Sequence, residues 1–523
     1  MSRTKTLLAG TALALTVGLL APGHALAAPV THEAETSPAT CTGTIDSNWG
    51  GFTGSGFCNA NNAVGAGAQF TVNASAAGNA TVGVRFANGT TTARPAQLVV
   101  NGTTVQTPSF EGTGAWDTWV TKTLTVAVPA GTSTIRLSPT TANGLPNVDH
   151  LAFEIGGGTT PPADALYVAP NGTDGAAGTI ANPTTLGSAI TRIAAGGTIY
   201  ARGGTYAYSQ TVTIATGNNG TSGGLKKLTA YPGERPVLNF AGQSEDPANR
   251  GLAVNGNYWH ISGIIVERAG DNGIFVGGSN NIFERTVTRF NRDTGLQLSR
   301  ALSSTPQSLW PANNLILSAE SHDNADSDGE DADGFAAKLT SGPGNVFRYA
   351  VAHNNIDDGW DLYTKTDTGA IGAVTIEDSL AYENGTLSDG SQAGNGDRNG
   401  YKLGGEDISV NHVVRRSIAV DNGKHGFTYN RNLGTQTISA NVSVDNAERN
   451  FNFDGGSSVF RDNTSCRSGS GTSDRIVGNT DSSNQFWSGS NGSRCSSYSG
   501  ALGWSFASDG RLVVTFGGRV VTF

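Results

Sequence analysis

Between residues 273 and 429 one short pattern returns six times: a glycine, a bulky residue, a variable residue and then, in most copies, an apolar one. The copies are Gly273-Ile274-Phe275-Val276, Gly295-Leu296-Gln297-Leu298, Gly334-Phe335-Ala336-Ala337, Gly359-Trp360-Asp361-Leu362, Gly400-Tyr401-Lys402-Leu403 and Gly426-Phe427-Thr428-Tyr429. Successive glycines are 22, 39, 25, 41 and 26 residues apart. The short steps suit one coil of a parallel β-helix, and the two long steps suit a coil carrying an inserted loop. A second echo precedes most copies: His322-Asp323-Asn324, His353-Asn354-Asn355, Tyr382-Glu383-Asn384, Val420-Asp421-Asn422 and Val444-Asp445-Asn446. Asn returning at one turn predicts a ladder of side-chain amides bonded along the helix axis. The alternative is a β-sandwich with chance Gly-aromatic pairs, and the linked Asn weighs against it.

The remainder of the chain fits an all-β protein. Glycine is abundant at 72 residues and charged residues make up only 14%. Long helices have little to build on in such a composition. Residues 1–27 read as a signal peptide: a basic start, an apolar run from Leu7 to Ala21, then Ala25-Leu26-Ala27 as a processing site. A secreted, extracellular protein follows, and its four cysteines read as disulfides. Cys41–Cys58 with Cys466–Cys495 is the simplest of the three possible pairings. Neither pair has the close spacing of a cysteine metal site.

Three further segments follow the leader. Residues 30–155 alternate short strands with Gly, Asn and Pro turns, which predicts a β-sandwich. Residues 156–163 form a Gly/Thr/Pro linker, and residues 164–523 carry the repeat. Nothing in the sequence calls for an oligomer, and the expectation is a monomer.

Period-two alternation assigns faces within each copy. The first and third residues after the glycine point inward, and the second points outward. Phe275, Gln297, Ala336, Asp361, Lys402 and Thr428 then form one outward column, with neighbours about 4.8 Å apart. Just before the glycines stand Asp333, Asp358 and Asn399, with Asp357 beside them. Four carboxylates and one lysine thus converge. Carboxylates so close repel one another, and an oxygen-only donor set calls for a hard cation; outside a cell that is Ca2+. Such a site alone is equally a staple between coils. Lys402 in the same column adds a group that can act as a base once a dication lowers its proton affinity. The net charge of −9 excludes a nucleic-acid partner and opposes an anionic polymer unless a cation bridges the two.

At these motifs a family resemblance is visible. Residues 331–340, 354–363 and 400–405 resemble polysaccharide lyase family nine, whose members are right-handed parallel β-helices and mainly pectate lyases. The resemblance implies that Asp333, Asp357, Asp358 and Asp361 hold the catalytic Ca2+ and that Lys402 is the base. The Ser388–Arg398 loop ahead of Lys402 is enlarged relative to that pattern. Lys338, Lys365, Arg415 and Arg416 are candidates to hold substrate carboxylates, against solvated or structural roles. Over residues 30–155 the chain resembles carbohydrate-binding modules of family thirty-five and their family six relatives. By that resemblance Glu33, Glu35 and Asp149 would hold a structural Ca2+, Trp116 would stack on a sugar, and Asn147 would bond its hydroxyls. Trp119 is expected in the core.

The expected function is β-elimination on pectate or polygalacturonate, with no membrane partner. Two other readings remain: the same chemistry on rhamnogalacturonan or another acidic polysaccharide, and a non-catalytic sugar-binding adhesin.

Overall fold

The computed structural model describes residues 30–74, 78–129, 131–155, 165–392 and 394–523. The leader and the linker expected from the sequence lie outside the described residues. The chain divides into two compact units, 1–158 and 159–523.

The first unit is a β-sandwich of two antiparallel six-stranded sheets. Strand Asn147–Ile155 is central to one sheet, where Gly78–Ala87 flanks it and Val30–Glu33 joins it. Strands Ala68–Ala74, Gly131–Pro139 and Arg94–Val100 form the middle of the other. Alternate residues of both inner faces, among them Phe70, Val82, Val84, Leu98, Ile135 and Leu151, make the core. Cys41 bonds to Cys58 here, and Cys466 bonds to Cys495 in the second unit.

The second unit is a parallel β-helix with sheets of twelve, ten and ten strands. One short helix, Leu186–Arg192, puts Leu186, Ala189 and Ile190 into the apolar core. No described helix is long and apolar enough to cross a membrane. The third sheet carries the repeat, from Val212–Ile214 to Arg475–Ile476. Its inward residues Phe335, Trp360, Tyr401, Phe427 and Phe451 stack ring on ring, with centroids 5.0, 4.8, 4.6 and 5.0 Å apart. Each such pair adds about 0.5–1.5 kcal/mol beyond the area it buries.

The Asn echo and the glycine have one cause. Asn291, Asn324, Asn355, Asn384, Asn422 and Asn446 form a fully buried amide ladder, with Nδ2–H donating to the next Oδ1 at 2.8–2.9 Å. The residue before each Asn (Phe290, Asp323, Asn354, Glu383, Asp421 and Asp445) takes a left-handed φ between 51° and 57°, which turns the corner into the third sheet. Each repeat glycine then backs onto the ladder. A Cβ on Gly273, Gly334, Gly359 or Gly400 would come within 2.9 Å of an Asn Nδ2. A larger residue there would push the ladder open.

Beyond the last coils, strands Leu502–Phe506, Leu512–Phe516 and Arg519–Val520 form a small antiparallel sheet. Trp504, Val514 and Phe516 cover apolar residues of the second sheet, including Val351, Leu380, Ile418 and Val442. The sequence reading had no separate element there.

Candidate functional site

The outward column of the third sheet is in register from Phe275 through Gln297, Ala336, Asp361 and Lys402 to Thr428. Outward here does not mean exposed. Asp361 and Lys402 are only 4% and 8% accessible, because loops rise on both sides of the strand ends. On one side the Ser388–Arg398 loop folds over the coils: Ser388 N–H donates to Asp323 Oδ1 at 2.8 Å and Asn395 Nδ2 to the Asp328 carbonyl at 3.0 Å. Tyr363 and Lys365 stand on the other side. Between them lies a cleft of about 400 Å3, lined by Asp331, Lys338, Asp357, Asp361, Asp397 and Lys402 among others.

Lys402 Nζ lies 3.3 Å from Asp358 Oδ2, 3.6 Å from Asp361 Oδ2 and 3.1 Å from Asp397 Oδ2. A second lysine, Lys338, reaches in from two coils before Lys402, 2.7 Å from Asp333 Oδ2 and 3.6 Å from Asp361 Oδ2. Carboxylate oxygens of Asp333, Asp357 and Asp358 come within 4.8 Å of one another. Burial pushes the carboxyls of Asp333 and Asp357 well above the usual range, and neighbouring carboxylates add to it. Asp358 is pushed up to about 6 by burial, against the pull of Lys402. For Lys402 burial acts downward, but Asp361, Asp358, Asp357 and Asp333 outweigh it and hold the ammonium well above its ordinary value.

An oxygen-ligated cation fits these residues. Asp361 Oδ1 and Asp358 Oδ2 are buried and accept no hydrogen bond, an arrangement that otherwise costs a few kcal/mol. The remaining oxygens are already oriented: Asp358 Oδ1 accepts from Asn399 N–H and Nδ2 at 2.6 and 2.9 Å, and Asp357 Oδ1 from Arg398 N–H at 3.1 Å.

Two residues of the sequence reading fall elsewhere. Arg415 and Arg416 do not line the cleft. Arg415 ends a strand of the twelve-stranded sheet, and its Nε donates to Glu377 Oε2 at 2.7 Å; Arg416 holds Asp378 at 2.7 Å. Glu377 is buried and needs cations, which is the physical reason for their position. Conversely Asp397 was missed. It lies in the inserted loop, where no repeat marks it, and Lys424 Nζ steadies it at 2.9 Å.

In the first unit Glu33, Asp149 and His150 bring ligand atoms within 4.8 Å of one another. Thr53 Oγ1 lies 2.9 Å from Glu33 Oε2, 3.1 Å from Asp149 Oδ2 and 2.8 Å from His150 Nδ1. Glu35 stands outside that group: its Oε1 accepts from Ser55 N–H at 2.8 Å, and its Oε2 is buried without a partner. Burial works to raise the Asp149 carboxyl, yet hydrogen bonds from His150, Arg85 and Thr53 hold it below the usual range. Trp116 is half-buried, its indole against Gly89, with the Arg94 guanidinium 5.3 Å from a ring centroid. Asn147 is buried opposite Ala87. Trp119 is half-buried rather than core: it packs on Phe57 at 5.2 Å, and its Nε1 donates to the Gly50 carbonyl at 2.8 Å.

Comparison with known proteins agrees with this architecture. Residues 166–463 match the family described as Pel9A-like, right handed beta helix region, and residues 34–155 match a carbohydrate binding module of family 6. Pectate lyase L of Paenibacillus polymyxa strain SC2 is 57% identical over 338 residues, which are 63% of this chain and 73% of that protein. The crystal structure of pectate lyase Pel9A superposes with a TM-score of 0.56 at 31% identity, covering 66% of this chain and 86% of that one. Over 127 residues, 24% of this chain, endo-1,4-beta-xylanase B of Cellvibrio japonicus is 46% identical, but the match spans only 21% of that enzyme. The chain therefore belongs to the Pel9A-like, right-handed β-helix family of polysaccharide lyases and carries a carbohydrate-binding module at its N-terminal side.

Proposed function

We propose that the protein cleaves polygalacturonate or a closely related polyuronate by β-elimination, with Lys402 as the base. The observation that carries this reading is Lys402 on the cleft floor, one coil from Asp361 and within 3.6 Å of both Asp358 and Asp361. Lys402 must lose its proton before it can act, and the carboxylates that hold that proton are the ones suited to Ca2+. Asp333, Asp357, Asp358 and Asp361 would hold the ion. When bound it supplies neutralisation of the C6 carboxylate, which makes the C5 proton more acidic. Lys402 then accepts the C5 proton, the C–H electrons become the C4–C5 double bond, and O4 leaves with its bonding pair. Asp397 steadies the amine from the loop side.

The N-terminal module would keep the enzyme on its polymer through Trp116 and Asn147. Glu33 and Asp149, with His150 and the neighbouring Glu35, form a candidate structural Ca2+ site there. Residues 1–27 would direct export. The test is the absorbance of the unsaturated uronate on polygalacturonate, with Ca2+ and with chelator, for wild type and Lys402→Ala. A Ca2+-dependent signal that the variant loses supports the reading. No signal from folded wild type removes this substrate, and an undiminished signal from the variant removes Lys402 as the base.

A further inference from the structure

The column of residues immediately before the third-sheet strands continues beyond the acid cluster. From Asn399, Asp358 and Asp333 it runs through Thr294 and Asn272 to Arg250, each step marked by a backbone bond from the following glycine N–H to the next coil's carbonyl. Arg250 thus lies on the line of the carboxylates, three coils before Asp333. Its guanidinium carbon is 3.4 Å from the centroid of Phe275, the first residue of the outward column, and Phe275 beneath it is 1% exposed.

Several contacts preset this arginine. Its carbonyl accepts from Thr211 Oγ1 at 2.7 Å and Gln243 Nε2 at 2.9 Å, and its Nε donates to Asp271 Oδ2 at 3.4 Å. That is the one hydrogen bond the guanidinium makes among the described residues, and the side chain remains 30% exposed. Both terminal nitrogens are left for a ligand. Lys338 and Lys402, by contrast, are each engaged by carboxylates. Asp271 does not cancel the Arg250 charge outright, because burial and Asp293 push its carboxyl up to about 7.

We propose that Arg250, stacked on Phe275, forms a remote subsite that grips a carboxylate of a uronate chain lying along the third sheet. This rests on the polyuronate reading above. A planar fork over an aromatic face, with two free N–H edges, matches a carboxylate bidentately. Phe275 is four strands from Lys402, about 19 Å at the usual strand spacing. An extended uronate chain repeats at a length close to that spacing, so Arg250 meets a sugar about four units from the one at Lys402. Short oligomers do not reach it.

Arg250→Met keeps an aliphatic cover on Phe275 and removes the fork; Arg250→Lys keeps the charge without the fork. Both are compared with wild type on polygalacturonate and on the tetramer. The expected result is that KM for polymer rises about tenfold relative to KM for tetramer in Arg250→Met, with only partial recovery in Arg250→Lys. Equal loss on both substrates, or no loss on either, overturns the subsite. Calorimetric binding of polygalacturonate to Lys402→Ala, with and without Arg250→Met, reads the same contact without turnover. If wild type proves inactive, the lyase reading fails while this affinity comparison still decides the subsite: weaker binding with Arg250→Met supports it and unchanged binding overturns it.

Discussion

Among the described residues, one group of carboxylates converges in the sandwich and another in the β-helix, and their neighbours drive them in opposite directions. In the sandwich, Asp149 is held by Arg85, the Thr53 N–H and hydroxyl, and His150, and its carboxyl is driven below the ordinary range. In the β-helix, Asp333, Asp357 and Asp358 are equally inaccessible but are driven upward, and Asp358 Oδ2 and Asp361 Oδ1 accept no hydrogen bond. Both groups offer carboxylate oxygens, the sandwich with His150 beside them. What differs is the balance at the carboxyls: hydrogen bonds hold Asp149 down, whereas burial and like charge drive the β-helix group up. A carboxylate already ionised and hydrogen-bonded is suited to a structural ion between strands, whereas a cluster driven up by burial and mutual repulsion is suited to recruiting a dication together with a charged substrate.

The largest effect that sharpens this contrast is catalytic. Lys402→Ala is expected to lower the rate of unsaturated-product formation by about 10²–10⁴-fold while the melting temperature of the sandwich is unmoved. Asp149→Ala would do the reverse: it leaves Arg85 beside a vacated buried position and lowers the stability of the sandwich by about 3 kcal/mol, read by denaturant melting.

Acid titration should separate the two groups by sign. Asp358 has a folded value near 6, above its unfolded one, so its contribution to stability is complete below about pH 4 and is lost as pH rises through 6. Asp149 has a depressed folded value, so its contribution is present above about pH 4 and is lost as pH falls below it. The Asp358 contribution amounts to about 3 kcal/mol at most. Chelated protein whose β-helix melts at a higher temperature at pH 7 than at pH 4.5 would contradict the sign. A smaller effect is expected from Asp357→Asn. The amide keeps the oxygen that accepts from the Arg398 N–H and removes one repelling charge, so the chelated protein should gain about 1 kcal/mol and lose its stabilisation by Ca2+. Least of all, Arg415→Ala should change stability by about 1 kcal/mol or less and leave KM for polymer unaltered. A KM that rose would return Arg415 to the substrate.

Much of this was legible in the chain because a coil repeats and a strand alternates. The glycines, the Asn turn and the column from Phe275 to Thr428 are all consequences of period, and the structure shows them as one packed system. The coil at Gly251-Leu252-Ala253-Val254 obeys the same pattern, 22 residues before Gly273, but is not counted among the copies, and Arg250 is left out with it. Alternation says which side of a strand a residue faces and is silent about what covers that side. Lys402 was therefore read as outward without its burial, and Asp397, on an aperiodic insertion, was invisible. Trp119 and Arg415 failed for a related reason: residue type alone does not reveal whether an indole finds a carbonyl or a guanidinium finds a buried glutamate.

The left-handed corner locked by the amide ladder has a consequence for how such a protein can change. Each corner is closed by its own Asn before the chain leaves for whatever lies beyond, whether a short link, as from Asn422 to Gly426, or a long excursion, as from Asn384 to Gly400. Loop length is thereby uncoupled from strand register. A lineage can lengthen, trim or exchange the walls of the cleft without disturbing the floor on which the reacting groups are aligned, so new specificities are accessible by insertion and deletion rather than by rebuilding the barrel of coils.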